Sequence, residues 1–294
     1  KMAVMRLGID YTANLATGLA MQQMFQATSD LIDKYMRDVW NRSTEVAGIS
    51  HVLCRHYTKL KPDQATLAGL VHKIGVLPIL TYAEDNRRLL KDVSALDKII
   101  EEIHLNYLLA GSDIIETNTF GANFANLAEY GIEDRIYELA NAGAILARQV
   151  ADQYSTADKP RWVLGSLGPG TKLPTLGHTS YEKLKLAYEE ASKGLIDGGS
   201  DALLIETTQD LLQAKAAVNG ARDAINKSGK DIVLIAQVTV ETTGTMLMGS
   251  EIGAALNALE PLGIDLIGLN CATGPAEMSE HLRVLSKGAT VGIS

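Results

Sequence analysis

Residues 198–239 have the sequence GGSDALLIETTQDLLQAKAAVNGARDAINKSGKDIVLIAQVT, in which two short apolar runs flank an amphipathic stretch. The first run is Ala202–Glu206 and the second is Ile232–Thr239. Between them, apolar residues over Asp210–Lys227 recur with the period of an α-helix. Runs that are short and apolar throughout are typical of parallel strands buried on both faces. The segment therefore predicts a strand–helix–strand unit.

The same alternation continues on both sides of this unit. A strand–helix series of this kind predicts an α/β fold with a parallel sheet. About six strands are present, so we predict an incomplete (β/α)8 TIM-type barrel, two strands short of closure. The other predicted strands are Asp113–Thr119, Trp162–Leu167, Leu266–Asn270 and Thr290–Ser294, and the other predicted helices are Glu133–Tyr154, Tyr181–Asp197 and Glu251–Leu262.

The N-terminal third of the chain has a different pattern. Apolar residues recur there at helical spacing, and no strand-like alternation appears before Ile114. Pro62 starts a further helix, because proline is well tolerated in a first helical turn. We therefore predict an all-α helical segment over residues 1–104 and the barrel over residues 105–294. The periodic stretches are 15–24, 31–40 and 43–57.

Composition and charge exclude several classes of protein. No apolar run is long enough to span a bilayer, and the net charge of −8 argues against nucleic acid as the main ligand. The charge is uneven: residues 1–104 hold 13 basic and 12 acidic residues, the rest 14 and 23. The two cysteines, Cys54 and Cys271, cannot form a disulfide framework, so we expect a reducing, cytoplasmic setting.

Polar side chains follow five consecutive predicted strands. The active sites of β/α barrels lie at the carboxyl ends of the strands. Any one of these residues is more simply explained as a turn or a cap, but together they favour a pocket for a polar ligand. The residues are Glu116 to Asn123, Ser166, Glu206 to Thr208, Thr239, and Asn270 with Cys271.

Four of these strand ends carry motifs of a known family. The chain from about residue 102 to residue 294 resembles the homocysteine S-methyltransferase family, and within it the homocysteine-binding domain of cobalamin-dependent methionine synthase. The resemblance implies that three cysteines hold a zinc ion, which binds homocysteine as its thiolate, and that methylcobalamin on a separate domain donates the methyl group. The motifs are Asp113–Asn123 (DIIETNTFGAN), Gly165–Pro169 (GSLGP), Leu204–Thr207 (LIET) and Gly268–Cys271 (GLNC).

The resemblance also implies roles for individual residues. Cys271 matches a zinc-ligand cysteine of the family. Glu206 matches a glutamate that contacts the amino acid near the metal, and we predict it to be catalytic. The remaining predicted substrate-binding residues match pocket-lining positions: Asn118, Thr119, Ser166 and Asn270.

The sequence departs from the family at two places. The family's other zinc ligands form an adjacent Cys-Cys pair, which this sequence does not contain, and a zinc site needs three or four protein ligands. The Asp-Gly-Ala-Met-Gly segment of the first barrel strand is also absent upstream of Glu102. We therefore expect the chain alone to be impaired as a methyltransferase. A homo-oligomer would cover the open sheet edges that we expect.

Residues 15–102 carry a second, partial resemblance, to the HDOD domains of bacterial signalling proteins. It rests on Gly18–Thr28, Val39–Ser43 and Leu67–His72. His72 is followed by Lys73 instead of aspartate, so the related phosphohydrolase chemistry is excluded. The alternative function is thus a non-enzymatic signalling module with the barrel as passive scaffold. A natural fusion, a chimera and a misassembled gene all explain the joined sequences.

Overall fold

The computed structural model describes residues 30–57, 61–71 and 93–294, together with Thr12. The chain divides into two compact units, residues 1–96 and residues 97–294. The predicted helical stretch 15–24 lies outside the described residues, as does His72. Within the described ranges, no helix combines the length and the apolar character needed to cross a bilayer.

The described part of the first unit contains two complete helices, α1 (Asp30–Tyr57) and α2 (Pro62–Val71), and the first four residues of a third that continues into the second unit. The two stretches predicted at 31–40 and 43–57 are one continuous helix, which corrects the sequence interpretation. No glycine or proline interrupts residues 41–42, so nothing there breaks the helix. Helices α1 and α2 pack closely at Gly69 of α2. A Cβ atom added to this glycine would lie only 2.5 Å from Cα of Ala47 in α1.

The second unit alternates strands and helices. Helix α3 comes first, and the predicted boundary between residues 104 and 105 falls within it. The strands are β1 (Ile114–Glu116), β2 (Trp162–Leu167), β3 (Ala202–Thr208), β4 (Val233–Val238), β5 (Leu266–Leu269) and β6 (Gly292–Ile293). The helices are α3 (Val93–Ala110), α4 (Phe124–Ala128), α5 (Ile136–Tyr154), α6 (Tyr181–Asp197), α7 (Leu211–Ser228), α8 (Ile252–Leu259) and α9 (Pro275–Gly288), with 3-10 turns at Pro174–Leu176 and Glu260–Leu262.

The six strands form one parallel sheet in the order β1-β2-β3-β4-β5-β6, so the predicted α/β fold with six parallel strands is confirmed. Strands β1 and β6 lie at opposite ends and do not pair, so the barrel is not closed. β1 is shorter than predicted, because the Thr117 hydroxyl accepts a hydrogen bond from the Ser166 amide at 2.9 Å. The Thr117 hydroxyl there replaces a backbone carbonyl as the acceptor for the Ser166 amide.

The two faces of the sheet differ in burial. The helix-covered face holds Val163, Leu203 and Ile267, each at most 1% exposed. On the opposite face, called here the inner face, Trp162 and Val233 are 47% and 41% exposed. The prediction that the strands are buried on both faces is therefore wrong on the inner face at the beginnings of β2 and β4. An unclosed barrel has no opposing strands to cover the inner face.

Helices α6 and α7 pack against each other and against the helix-covered face of the sheet. Ser180 begins α6 by accepting a hydrogen bond from the Lys183 amide, as expected of an N-cap serine. Asp210 begins α7 in the same way and is fully buried. A Cβ atom at Gly220 of α7 would overlap the carbonyl oxygen of Lys185, so the absence of a side chain there allows the close approach.

A candidate amino acid site at the strand ends

The carboxyl ends of β1, β2, β3 and β5 bring polar side chains together on the inner face. We call this set the polar cluster: Glu116, Ser166, Glu206, Thr207 and Asn270. Its centre is Ser166, which is fully buried and donates a hydrogen bond of 2.5 Å from Oγ to Oε1 of Glu206. Side chains alternate along a strand, so Glu116, Ser166 and Glu206 point away from the helix-covered core.

Two carboxyl groups meet in this cluster. Glu116 ends β1, and part of its side chain is exposed. Burial of the rest of the carboxyl group, followed by hydrogen bonding to Glu206 and the charge of Glu206, raises the pKa of Glu116 to about 7, while Ser166 acts in the opposite direction. At neutral pH Glu116 therefore carries a proton part of the time.

Asn270 fixes the turn that follows Glu206. Thr207 has a φ of 59°, a left-handed conformation that is unusual for a β-branched residue. The Asn270 side chain accepts from the Thr207 amide at 2.8 Å and donates to the Thr207 hydroxyl at 2.7 Å. Its Nδ2 also lies 3.5 Å from Oε2 of Glu206. Strained backbone of this kind persists when surrounding contacts enforce it, and it concentrates at functional sites.

The segment after β1 supports the cluster from one side. Thr119 is buried and donates a hydrogen bond of 2.7 Å to the carbonyl oxygen of Ser166. Its hydroxyl also lies 2.7 Å from that of Thr117. Asn118 is exposed, and its side-chain oxygen lies against Gly143 of α5. A Cβ atom added to this glycine would lie 3.0 Å from Oδ1 of Asn118. The hydroxyl of Thr119 is thus occupied within the protein.

Cys271 follows Asn270 directly and is exposed. Its φ of 63° and that of Ala272, 57°, make a second left-handed turn at the same end of the sheet. The part of the chain that the structure describes contains no group of three or more His, Cys, Asp or Glu residues placed to hold a metal ion. The structure therefore brings Ser166, Glu206 and Asn270 together, with Thr119 behind them and Cys271 at the rim.

Comparison with known proteins identifies the family to which the chain belongs. The sequence profile of the family described as homocysteine S-methyltransferase matches residues 20–294. The chain belongs to the homocysteine S-methyltransferase family. Members of this family transfer methyl groups to homocysteine, so the strand-end cluster lies in a methyltransferase fold.

Two curated methionine synthases are similar to this homocysteine S-methyltransferase family member. The protein of Mycobacterium tuberculosis is 62% identical over 196 residues, and that of Mycobacterium leprae is 61% identical over 196 residues. Each alignment covers 67% of this chain and 16% of the relative. The chain thus spans about a sixth of the length of the curated relatives it matches.

A solved structure supports the fold. The homocysteine methyltransferase MmuM from Escherichia coli, in its metallated form, superposes with a TM-score of 0.57 at 20% identity. The superposition covers 67% of this family member and 70% of MmuM. The oxidized form of the same enzyme gives a TM-score of 0.56. At this level of identity the likeness concerns the fold.

The sequence placed Glu116 and Thr207 among the polar residues at the strand ends but gave neither a substrate-binding role. The strand predicted at Asp113–Thr119 is longer than β1, of which Glu116 is the last residue. The bond between Thr207 and Asn270 gave no signal, because the two residues are 63 positions apart in the chain.

Proposed function

We propose that this chain binds homocysteine at the polar cluster as the amino acid site of a methionine-synthase-type methyltransferase. One observation carries the proposal: a buried serine and an asparagine orient the Glu206 carboxyl at the strand ends of a chain from the homocysteine S-methyltransferase family. A carboxyl fixed in this way suits the ammonium group of an amino acid. Glu206 holds that group, and the sulfur lies toward Cys271.

The predicted substrate-binding residues divide into two kinds under this proposal. Glu206 contacts the amino acid, and Asn118, whose Oδ1 lies against Gly143 of α5, stays a predicted substrate-binding residue. Ser166 and Asn270 use their side chains to hold Glu206 and Thr207, so they act as positioning residues. Thr119 supports Ser166 through its carbonyl oxygen.

A zinc site needs more ligands than this chain supplies near Cys271 in the described residues. The family resemblance implies a zinc ion, and Cys271 is the one residue carried over as a ligand. A zinc site needs three or four protein ligands, and the described residues offer no such group. The residues present do not fit a complete site, and no step through the metal is derived. We therefore propose that the chain alone is impaired in methyl transfer to a zinc-bound thiolate.

Other parts of the reaction lie outside the polar cluster. Methylcobalamin on a separate domain is the methyl donor that the resemblance implies. All five cluster residues belong to residues 105–294, which we propose as the substrate-binding domain, with 1–104 as a helical segment. A homo-oligomer that covers the open edges β1 and β6, and a cytoplasmic setting, stay predictions. The HDOD resemblance of residues 15–102 and the non-enzymatic signalling alternative also stay predictions.

Calorimetric titration of the 294-residue chain with L-homocysteine tests the proposal, with L-homoserine as the matched ligand that lacks sulfur. We expect weak, saturable binding that Glu206→Gln lowers at least about tenfold, because the variant loses one charged hydrogen bond. Glu133→Gln, at an exposed position, is the control and should leave the affinity unchanged. Unchanged homocysteine affinity in Glu206→Gln, or no saturable binding, would contradict the proposal.

Zinc analysis of the purified chain tests the metal part. We expect less than one zinc per chain, readily removed by a chelator, and we expect Cys271→Ala to change homocysteine affinity only when zinc is present. One tightly held zinc per chain in a monomer would show that the chain completes the site by itself and is not impaired in this respect.

A further inference from the structure

The threonine that follows Glu206 in the chain, Thr207, lies on the same side of the sheet as the Glu206 carboxyl. Side chains alternate along a regular strand, so Thr207 would otherwise turn toward the helix-covered face. The register between β3 and β4 shifts at this point, and Glu206 and Thr207 stand opposite a single residue, Gln237. A β-bulge of this kind re-aims side chains beside active sites. The bulge and the left-handed φ of Thr207 therefore bring its side chain to the site.

The Asn270 side chain contacts both residues of the bulge. Its Nδ2 lies 2.7 Å from the hydroxyl oxygen of Thr207 and 3.5 Å from Oε2 of Glu206. These two oxygen atoms are therefore no further apart than about 6 Å, a gap that hydrogen bonds to one small head group can bridge. Glu206 and Thr207 are both half-buried, so a ligand in the cleft can reach them. The hydroxyl and the carboxyl group thus border the same site.

The direction of the Thr207 hydroxyl hydrogen follows from the Asn270 amide. The backbone N–H of Thr207 is a donor, so the Asn270 atom that it meets at 2.8 Å is the oxygen Oδ1. The other amide atom is then the nitrogen, which only donates, and the Thr207 oxygen accepts from it. The hydroxyl hydrogen therefore points away from Asn270, and no residue that the structure describes accepts it. Thr207 keeps a free O–H donor beside the Glu206 carboxyl.

We propose that the Thr207 hydroxyl donates a hydrogen bond to the carboxylate of the amino acid whose ammonium group Glu206 holds. This inference rests on the proposed function, which it deepens by adding Thr207 as a specificity-determining residue. In an α-amino acid both groups are attached to one carbon atom, so an ammonium group at Glu206 brings the carboxylate close to Thr207. A carboxylate only accepts hydrogen bonds, and the free O–H of Thr207 is a donor. The bulge therefore distinguishes an amino acid from a simple amine.

A neutral donor suits this position next to Glu206. A lysine or arginine at the same place would pair with the Glu206 carboxylate and occupy the position of the substrate ammonium group. The Thr207 hydroxyl gives the substrate carboxylate a partner without competing for Glu206. Its hydrogen bond to a carboxylate is charge-assisted, so its loss should lower the affinity for an amino acid about tenfold.

Isothermal titration calorimetry of the 294-residue chain with two ligands tests this role. The ligands are L-methionine and 3-(methylthio)propylamine, which have the same thioether and nitrogen but differ in the carboxylate. Neither ligand has a thiol, and a chelator keeps metal out, so zinc does not affect the comparison. We expect the wild type to bind L-methionine at least about tenfold more tightly than 3-(methylthio)propylamine.

Thr207→Val is the decisive variant, because it keeps the branched shape of the side chain and removes the hydroxyl group. It should lower the affinity for L-methionine about tenfold and change that for 3-(methylthio)propylamine less than about twofold. Thr207→Ser keeps the hydroxyl and should retain most of the affinity for L-methionine. Thr44→Val, at an exposed position of α1, is the control and should behave as the wild type. If Thr207→Val does not fold, Thr207→Gly replaces it, because glycine adopts left-handed backbone without strain.

The outcomes separate this inference from the proposed function. Unchanged L-methionine affinity in Thr207→Val would overturn the role of Thr207 and leave the amino acid site at Glu206 standing. Equal losses for the two ligands would also overturn it, because Thr207 would then act by positioning Glu206. Glu206→Gln should weaken both ligands. Unchanged binding of both in this variant, or no saturable binding of L-methionine and L-homocysteine to the wild type, would contradict both proposals.

Discussion

The Asn270 side chain, which follows β5, accepts a hydrogen bond of 2.8 Å from the Thr207 amide of β3, although β4 lies between the two strands. Neighbouring strands lie about 4.8 Å apart, so strands two positions apart are separated by about 10 Å in a flat sheet. Glu116 on β1 and Glu206 on β3 repeat this relationship across β2, because Glu206, after burial, is the main cause of the raised pKa of Glu116. Side chains of alternate strands share a layer inside TIM barrels. The six strands therefore keep the curvature of a barrel without closing.

The first prediction concerns Glu116 and pH. Its folded-state pKa is raised from 4.5 to about 7, so its contribution to stability is complete below pH 4.5 and is lost as pH rises through 7. Glutamine at this position stays neutral and can donate to Glu206. We expect Glu116→Gln to match the wild type in thermal stability near pH 5 and to exceed it at pH 8. Melting curves across this range, with Glu133→Gln as control, check the prediction, and a constant difference would contradict it.

A second prediction concerns the turn at Thr207. Asn270→Ala removes both hydrogen bonds to Thr207 and leaves its amide without this partner. We expect a loss of about 1–3 kcal/mol in the free energy of unfolding, measured by urea denaturation. Asn106→Ala, at an exposed position of α3, should change it by less than about 0.5 kcal/mol. Adding Thr207→Gly to Asn270→Ala should recover about 1 kcal/mol, because glycine adopts left-handed backbone without strain.

The contact between α6 and α7 gives a third prediction. Gly220→Ala should lower the free energy of unfolding by about 1–3 kcal/mol, because the new methyl group would overlap the Lys185 carbonyl oxygen. Gly253→Ala in α8 is the matched control. The nearest atom to its Cβ would be Cγ1 of Val284 at 3.9 Å, so we expect a gain of up to about 1 kcal/mol from helix propensity. Equal effects at the two positions would argue against the close approach.

A fourth prediction concerns His104 of α3 and the stability of the protein at acidic pH. It is 4% exposed, and its Nε2 has no hydrogen-bond partner among the residues that the structure describes. Burial lowers its pKa below 6.5, so its contribution to stability is complete above pH 6.5 and is lost as pH falls through the folded-state pKa. We expect His104→Gln to reduce the fall in melting temperature between pH 7 and pH 5. His56→Gln, at an exposed position, should leave that fall unchanged.

The elements that sequence reasoning predicted best have strong local boundaries. The bounds of β2, Trp162–Leu167, and of α6, Tyr181–Asp197, agree with the prediction. Ser180 caps α6 and Gly198 ends it, and both signals are visible in the sequence. Helix α9, Pro275–Gly288, was not predicted. β6 was predicted too long because Thr290 bonds through its side chain to Glu260, a contact that the local sequence does not indicate.

The candidate site was predictable only in part, because its contacts also join residues that are far apart in the sequence. Strand-end position identified Ser166, Glu206 and Asn270, because the carboxyl ends of parallel strands lie along one edge. It did not reveal which residues contact each other. The Glu116–Glu206 pair depends on curvature across an intervening strand, and the Thr207–Asn270 bonds depend on a left-handed turn. Both are tertiary properties, and neither leaves a periodic signal in the sequence.

The sequential strand order has a consequence for how the sheet assembles. Every strand pairs with the strand that follows it in the chain, so each pairing closes a loop that contains only the intervening segment. Entropy of loop closure is then lost in small steps, because no pairing has to close a loop longer than the segment between two successive strands. The sheet can grow strand by strand as the polypeptide leaves the ribosome. Each added strand becomes the template for the next.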